Sequence, residues 1–148
     1  SLTRQNLDPI RKKYLNLNKC SFGAYEVSRT NKKVSLTILA SGSEVNLAIK
    51  TSHKLAKEKI YSKVISMPCH ELFDLHSISY KKKILGETKF KISIEAASTD
   101  CWKKYVQTDG LSFGIDTFGE SAPYKEIYNH FGLTAENISK KIKNLIKS

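Results

Sequence analysis

A group of side chains able to bind metals or transfer protons lies in the middle of this chain. Cys69, His70 and Glu71 are consecutive, and His76 follows soon after. A structural zinc site would need a further ligand at suitable spacing, which the sequence does not supply. A thiol–base pair would need the adjacent side chains of Cys69 and His70 to converge, which neighbouring residues rarely do. We therefore expect structural roles here, and the other histidines fall on predicted helices: His53 and His130.

The turn formed by Ser41, Gly42, Ser43 and Glu44 follows a predicted strand and precedes a predicted helix. It has one glycine, whereas a dinucleotide-binding turn has three. The amino end of a helix can bind an anion, but Glu44 would repel a phosphate. We expect Ser41 or Ser43 to cap the helix, with Glu44 stabilised near its positive end.

Glu95 ends another predicted strand, at the edge of the sheet where the sites of α/β proteins gather. A buried glutamate there could act as a general acid or base. No partner base or nucleophile lies nearby in the sequence, although Asp100, Trp102 and Tyr105 follow. We expect Glu95 to accept hydrogen bonds from loop amides and to hold the strand end in shape.

The loop over residues 118–123 is the most unusual local sequence, and its residue types predict a helix start. Gly119 permits an unusual backbone angle. Ser121 is predicted to cap a helix that runs to Phe131, with Pro123 in its first turn and Gly132 just after its end. The residues alone therefore predict no catalytic site.

These residues are positioned by a predicted alternation of strands and helices. Short apolar runs rich in β-branched residues predict five strands, at residues 24–27, 34–40, 63–67, 91–95 and 111–115. Helical spacing predicts helices at residues 44–59, 71–75, 77–85 and 121–131, a last helix capped by Thr134, and a helix or extended segment at residues 102–106. This order predicts a three-layer α/β/α fold with a mostly parallel five-stranded sheet.

Length and composition indicate one folded domain. The chain has 148 residues, of which 40% are hydrophobic and 26% charged. No run reaches the roughly 18 apolar residues of a membrane helix, and no signal-peptide pattern is present. Three cysteines argue against a disulfide framework: Cys20, Cys69 and Cys101. We expect a cytoplasmic protein with reduced thiols and no membrane partner.

The net charge of +11 raises the question of a nucleic-acid partner. The lysines are spread along the chain, with short clusters at residues 81–83 and 140–147. No interleaving of basic and aromatic residues accompanies them, and base-reading motifs are absent. This pattern favours a solvated basic surface over a nucleic-acid interface.

Five strings in the sequence together resemble the carboxy-terminal part of transketolases. They are TRQNL (residues 3–7), ASGSEV (residues 40–45), VISMP (residues 64–68), EA followed by WKKYV (residues 95–96 and 102–106) and FGESAP (residues 118–123). The FGESAP string is the most specific of them. The strings occur in the family's order and span nearly the whole chain.

The resemblance implies that residues 22–148 are a transketolase carboxy-terminal domain, and that residues 1–21 are a linker and the end of a preceding domain. Transketolases are homodimeric thiamine-diphosphate enzymes of carbohydrate metabolism. They transfer a two-carbon ketol unit between sugar phosphates in the pentose phosphate pathway. Their cofactor and its Mg²⁺ or Ca²⁺ are held by the first two domains. The resemblance therefore implies packing and dimer contact for this domain, with no catalytic, cofactor-binding or metal-binding residue.

Arg4 is the one position that the resemblance places at a substrate. In the family, the arginine of the Arg-Gln-Asn segment binds the phosphate group of the sugar. A guanidinium suits that role, because it stays charged and forks onto phosphate oxygens. We expect Arg4 to lack a complete phosphate pocket in the absence of the preceding domain.

Two alternatives share some of these features. A dihydroxyacetone synthase resembles transketolases in these strings but uses formaldehyde as the acceptor. A free-standing basic α/β interaction module would instead use the net charge of +11 to bind nucleic acid.

Overall fold

The computed structural model describes residues 6–11, 13–30 and 32–147. The strands are β1 (Tyr25–Arg29), β2 (Leu36–Ala40), β3 (Ser62–Ser66), β4 (Phe90–Ile94) and β5 (Leu111–Phe113). The helices are α1 (Glu44–Lys57), α2 (His70–Asp74), α3 (Ile78–Leu85), α4 (Lys103–Val106), α5 (Tyr124–His130) and α6 (Ala135–Lys147). Short 3-10 turns occupy Lys19–Phe22 and Asp100–Trp102. No helix within the described ranges is long and apolar enough to cross a membrane.

The five strands form one sheet in the order β1-β3-β2-β4-β5. β2 pairs in parallel with both β3 and β4, and β4 pairs in parallel with β5. β1 pairs with β3 in the antiparallel direction. The predicted mostly parallel, five-stranded α/β sheet is therefore confirmed.

Two apolar cores lie on opposite faces of the sheet, because side chains alternate along each strand. On one face, Ile38 and Val64 pack with α1 and α6 residues such as Leu55 and Ile138. On the other face, Leu39 and Ile65 pack with a second set of buried residues: Ala24, Met67, Phe73, Trp102, Tyr105 and Val106. Helices thus cover both faces, as the three-layer prediction requires.

The end of α3 is fastened to the sheet by buried polar side chains. Lys63 on β3 is 2% exposed, and its Nζ donates to the carbonyl of Ile84. Thr37 on β2 donates to the carbonyl of Leu85 at 2.9 Å. A helix leaves its last carbonyls unpaired, and a cation near that end is favourable. Burial nevertheless lowers the pKa of Lys63, because it disfavours the charged form.

The start of α5 differs from the sequence prediction. The helix begins at Tyr124, Pro123 occupies the N-cap position, and Ser121 makes no cap. A proline disfavours helical geometry in the residue before it, so Ala122 cannot continue a helical turn backward. The carbonyl of Pro123 accepts instead from the N–H groups of Glu126 and Ile127, at 2.9 and 3.2 Å.

The end of α5 and the start of α6 agree with prediction. Gly132 has a φ of 69°, and its N–H donates to the carbonyl of Asn129 at 3.1 Å. The next N–H, of Leu133, donates to the carbonyl of Tyr128 at 2.7 Å. This pair of bonds is the Schellman arrangement that a glycine permits. Thr134 caps α6, accepting from the N–H of Asn137 at 3.2 Å.

The segment before β1 lies along the edge of the sheet where the parallel strands end. β1 runs against β3, so its first residue, Tyr25, pairs with the last residue of β3, Ser66. The segment is therefore delivered to the carboxyl edge, where the carbonyl of Asp8 accepts from the side-chain amide of Asn46 at 3.2 Å. This edge also carries the polar residues that the sequence singled out.

Candidate functional site

The strand order places a crevice at the carboxyl ends of β2 and β4. The chain passes from β3, on one side of β2, to β4 on the other side. The turns after β2 and β4 leave the sheet in different directions at such a point, and ligands of α/β proteins commonly bind there. In this chain the two turns are joined, because the hydroxyl of Ser41 donates to Oε2 of Glu95 at 2.7 Å.

The prediction that Ser41 or Ser43 caps α1 is wrong. Neither Ser41 nor Ser43 makes a side-chain hydrogen bond to the start of α1. Ser43 is already in helical geometry, with φ −62° and ψ −32°, which is unsuitable for a cap. The hydroxyl of Ser41 is engaged by Glu95. Glu44 does lie in the first turn of α1, as predicted.

Glu44 and Glu95 form a pair of carboxyl groups on the floor of the crevice. Glu44 is only 2% exposed, and one of its oxygens accepts from the hydroxyl of Tyr128 on α5. Glu95 lines the same cavity as Glu44. The contact of Ser41 with Glu95 is made by its side-chain hydroxyl, whereas loop amides were expected, and the nearness of the Glu44 charge was not foreseen.

Burial and the neighbouring charge change the titration of Glu95. Burial first, and then the negative charge of Glu44, raise the pKa of Glu95 to about 7, although the bonds from Ser41 oppose this rise. A negative charge nearby disfavours the ionised form of a carboxyl group, as burial does. Glu95 is therefore partly protonated near neutral pH.

An open cavity of about 700 Å³ separates this floor from α5. Leu7 contributes to its wall, and so does Glu120 in the loop before α5. The opposite side consists of α5 residues and the residue that follows the helix: Tyr124, Ile127, Tyr128 and Phe131. The cavity carries carboxyl groups, so it is electrostatically unsuited to a phosphate or diphosphate.

The residues around Cys69 pack on their surroundings and do not converge. The thiol of Cys69 points to Oε2 of Glu71 at 3.4 Å, and not to a histidine. The ring of His70 lies against Trp102 and Tyr105, with centroids 4.5 and 5.1 Å away. Burial lowers the pKa of His70 and favours the neutral ring. Cys69 and His70 therefore do not form a thiol–base pair.

The remaining histidines are also dispersed. His76 bonds the carbonyl of Phe22 at 3.1 Å, and its ring stacks on Tyr80. His130 packs on the ring of Phe131, and His53 is exposed on α1. Among the residues that the structure describes, no group of three His, Cys, Asp or Glu side chains could hold a metal ion.

Arg4, the predicted phosphate-binding residue, lies outside the described residues. The nearest described part of the chain is the segment beginning at Asn6. It runs along the carboxyl edge, where Leu7 borders the cavity.

Comparison with known proteins gives one consistent result. Residues 23–134 match the model of the transketolase-like TK C-terminal domain. The chain is 38% identical, over 99% of its length, to a transketolase of Buchnera aphidicola subsp. Acyrthosiphon pisum, of which it covers 22%. It is 39% identical, over 93% of its length, to a transketolase of Sinorhizobium medicae, of which it covers 20%.

Solved structures agree with the sequence relatives. A transketolase from Leishmania mexicana superposes with a TM-score of 0.78 at 36% identity, covering 86% of this chain and 18% of that one. A split-gene transketolase, described as an inactive beta4 tetramer, shares the fold at 13% identity with a TM-score of 0.68, covering 97% of this chain and 47% of that one. The chain spans about a fifth of the length of the curated relatives it matches. Because the matching model covers well over half of the chain, this chain belongs to the family of transketolase C-terminal domains.

Proposed function

We propose that this chain works as the carboxy-terminal domain of a transketolase. The parent enzyme would transfer a two-carbon ketol unit between ketose and aldose phosphates in the pentose phosphate pathway. The observation that carries the proposal is the match over residues 23–134, made by a chain that covers 22% of a transketolase relative. The remaining part of such a relative, which this chain does not cover, would contain the residues that carry out the chemistry.

The carboxyl edge of this domain does not fit the cofactor of the parent enzyme. Thiamine diphosphate carries a diphosphate that a divalent cation, Mg²⁺ or Ca²⁺, would neutralise. The cavity at this edge instead carries Glu44, Glu95 and Glu120, and the described residues hold no metal-binding cluster. We therefore assign no step of ketol transfer to these residues, and we place the cofactor in the other domains of the parent.

The surface of the domain supports a packing role. Phe118 is 97% exposed, Leu75 is 83% exposed and Ile78 is 73% exposed. Large apolar side chains that stand in water usually mark contact surfaces. In the parent enzyme these side chains would pack on the other domains or on the second subunit of a homodimer.

Arg4 would be the contribution of this chain to substrate binding. It precedes by three positions the segment at Leu7, which lies at the carboxyl edge of the sheet. In the parent, its guanidinium would fork onto the phosphate group of the sugar. Removing a charged hydrogen bond of this kind costs about 1.5–3 kcal/mol, which corresponds to a roughly 10- to 150-fold loss of affinity.

The proposal is tested by measuring ketol transfer in the parent enzyme and in the isolated chain. The parent, supplied with thiamine diphosphate and Mg²⁺, should convert a ketose phosphate and an aldose phosphate, whereas the isolated chain should not. Turnover by the isolated chain would contradict this assignment of roles. A parent that accepts formaldehyde and no aldose phosphate would instead indicate a dihydroxyacetone synthase.

The role of Arg4 has its own variant and control. In the parent, Arg4→Gln should raise KM for sugar phosphates by about 10- to 150-fold, because it removes the phosphate contact. Arg11→Gln removes the same charge from an exposed position of the same segment and should leave KM unchanged. Equal effects of the two substitutions would show that general charge, and not a specific contact, is what matters.

A further inference from the structure

The cavity at the carboxyl edge is open to solvent and has two chemically different sides. Its volume of about 700 Å³ lies within the range of small-molecule sites in proteins. The floor is polar and comes from the turns after β2 and β4, which carry Glu44 and Glu95. The wall is apolar and largely aromatic, and consists of Leu7, Ile115, Tyr124, Ile127, Tyr128 and Phe131. The strand order thus brings carboxyl groups and an aromatic wall to one open space.

Glu44 is a buried carboxyl group that no cation of the described residues accompanies. Its side chain is 2% exposed, and its oxygen accepts from the neutral phenol of Tyr128. None of the ion pairs formed by the described residues includes Glu44 or Glu95. The first turn of α1 favours a negative charge at Glu44, but a helix end carries only about half an elementary charge. Since buried charges in proteins are usually paired, Glu44 favours a positively charged partner.

Glu95 offers a second carboxyl group to the same space. It is half-buried, and the bond of 2.7 Å from the hydroxyl of Ser41 fixes its orientation. Glu120 adds an exposed carboxyl group at the rim of the cavity. Among the residues that the structure describes, no lysine, arginine or histidine lines the cavity. The polar side therefore attracts cations and repels anions.

The aromatic wall suits an organic cation better than a metal ion. Tyr124 and Tyr128 meet edge to face on α5, with ring centroids 5.9 Å apart. The hydroxyl of Tyr128 bonds Glu44, so this ring lies directly beside the buried carboxyl group. Aromatic rings attract cations through their faces and also cover apolar groups. A metal ion would need several oxygen, nitrogen or sulfur ligands, and the described residues provide no such group.

We propose that this cavity binds a small organic amine, with its ammonium group at Glu44 and Glu95 and its apolar part against α5. An ammonium group donates three hydrogen bonds, and an ionised carboxylate only accepts them. The hydrocarbon part of such a ligand would cover Ile127 and Phe131 and remove apolar surface from water. The site differs in charge from a sugar-phosphate site, so the proposal does not depend on ketol transfer by a parent enzyme.

Phenethylamine is a suitable probe, because it has an ammonium group at one end and a phenyl ring at the other. Binding to this chain is followed by amide chemical shifts at pH 8, where Glu95, with a pKa of about 7, is mostly ionised and an alkyl amine is still protonated. A Kd of about 1 mM is expected for a ligand of this size. The largest shifts should lie at residues 41–44, at residues 95–97 and along α5. Phenethyl alcohol, the neutral analogue, should bind at least about tenfold more weakly, because it lacks the charged hydrogen bonds.

Three variants separate the contributions to binding. Glu95→Gln keeps an acceptor for Ser41 but removes the charge, so it should weaken phenethylamine binding about tenfold or more. Glu126→Gln is the matched control, because it removes a carboxylate from the first turn of α5 outside the cavity lining and should leave Kd unchanged. Tyr124→Ala removes a ring that is 45% exposed, so the fold should tolerate it, and it should weaken binding about two- to fivefold.

Five results would overturn the amine site. Absence of any shift at about 10 mM phenethylamine would refute it directly. Equal affinity for phenethylamine and phenethyl alcohol would show that charge is not recognised. Shifts confined to residues outside the cavity would place the binding elsewhere, and equal weakening by Glu126→Gln and Glu95→Gln would indicate general charge attraction. Finally, loss of binding in a longer parent protein would show that a side chain of the parent, and not a free amine, occupies the cavity.

Discussion

Replacing Gly23 by alanine should destabilise this domain by a large amount, because both its backbone angle and its surroundings exclude a Cβ. Gly23 has a φ of +72°, and a Cβ there would lie 2.3 Å from the backbone nitrogen of Phe73 and 2.6 Å from the carbonyl oxygen of Cys69. Both are backbone atoms, one in α2 and one in the residue before it, so neither can rotate away as a side-chain end could. The carbonyl of Gly23 also accepts from the N–H of Cys69 at 3.2 Å.

The loss of folding stability in Gly23→Ala can be estimated as a sum of three contributions. The left-handed backbone angle costs alanine about 1 kcal/mol relative to glycine. Displacing α2 would weaken the bond to Cys69, at about 1 kcal/mol. It would also loosen Phe73, which is fully buried, at about 1–2 kcal/mol. The sum is about 3–4 kcal/mol, which is a large part of the stability of an ordinary domain.

Three other glycines provide matched controls. Gly42 has a φ of +48° but no atom within 4 Å of its Cβ position, so Gly42→Ala should cost only the backbone angle, about 1 kcal/mol. Gly119 has open space and an ordinary φ, and Gly119→Ala should change stability by less than about 0.5 kcal/mol. Gly110 has an ordinary φ but a Cβ position 2.0 Å from the carbonyl oxygen of Lys91, so it isolates the effect of crowding.

Urea unfolding, monitored by tryptophan fluorescence, measures the free energy of unfolding of all four variants. Trp102 is the only tryptophan and is 1% exposed, beside Phe73 in the core that α2 covers. The reasoning fails if Gly23→Ala and Gly42→Ala destabilise equally, since the backbone angle alone would then explain both. It also fails if Gly110→Ala is neutral.

Two further predictions concern buried polar groups. Because burial lowers the pKa of Lys63, the unfolded chain binds that proton more tightly, and this group makes the folded domain more stable as pH rises toward 10.5. Lys63→Met should remove that rise, which urea unfolding at pH 7 and pH 10 would detect, with exposed Lys50→Met as the control. The indole N–H of Trp102 is buried without a hydrogen-bond partner among the described residues. Trp102→Phe should therefore cost less than about 3 kcal/mol by thermal unfolding, because it removes an unpaired donor together with apolar area, and a larger loss would indicate a bonded indole.

The sheet could be predicted from the sequence because its signal is local. The run LTILA at residues 36–40 is apolar and rich in β-branched residues, and every residue of β2 is buried. Gly132 and Thr134 were also predictable, since their hydrogen bonds reach only a few positions along the chain. The predicted start of α5 was wrong because Pro123 keeps Ala122 out of helical geometry, so the helix begins after the proline and not at Ser121.

The side-chain hydrogen bonds across the crevice could not be predicted in the same way. Ser41 and Glu95 are 54 positions apart, and Tyr128 and Glu44 are 84 positions apart. The serine hydroxyl had a plausible local partner at the start of α1, and a distant carboxylate replaced it. Strand order decides which turns meet, and one sequence indicates that β2 and β4 are parallel without showing that they are neighbours.

The direction of β1 has a consequence for how this domain is joined to anything before it. A parallel first strand would have received the chain at the opposite edge of the sheet, about 17 Å away for a strand of five residues. The antiparallel strand instead brings the incoming segment alongside the crevice, with Leu7 against its wall. A pull or a shift transmitted along that segment would therefore act first on the mouth of the cavity. Because this one short edge strand is antiparallel, the segment that enters the domain lies directly beside the acidic crevice.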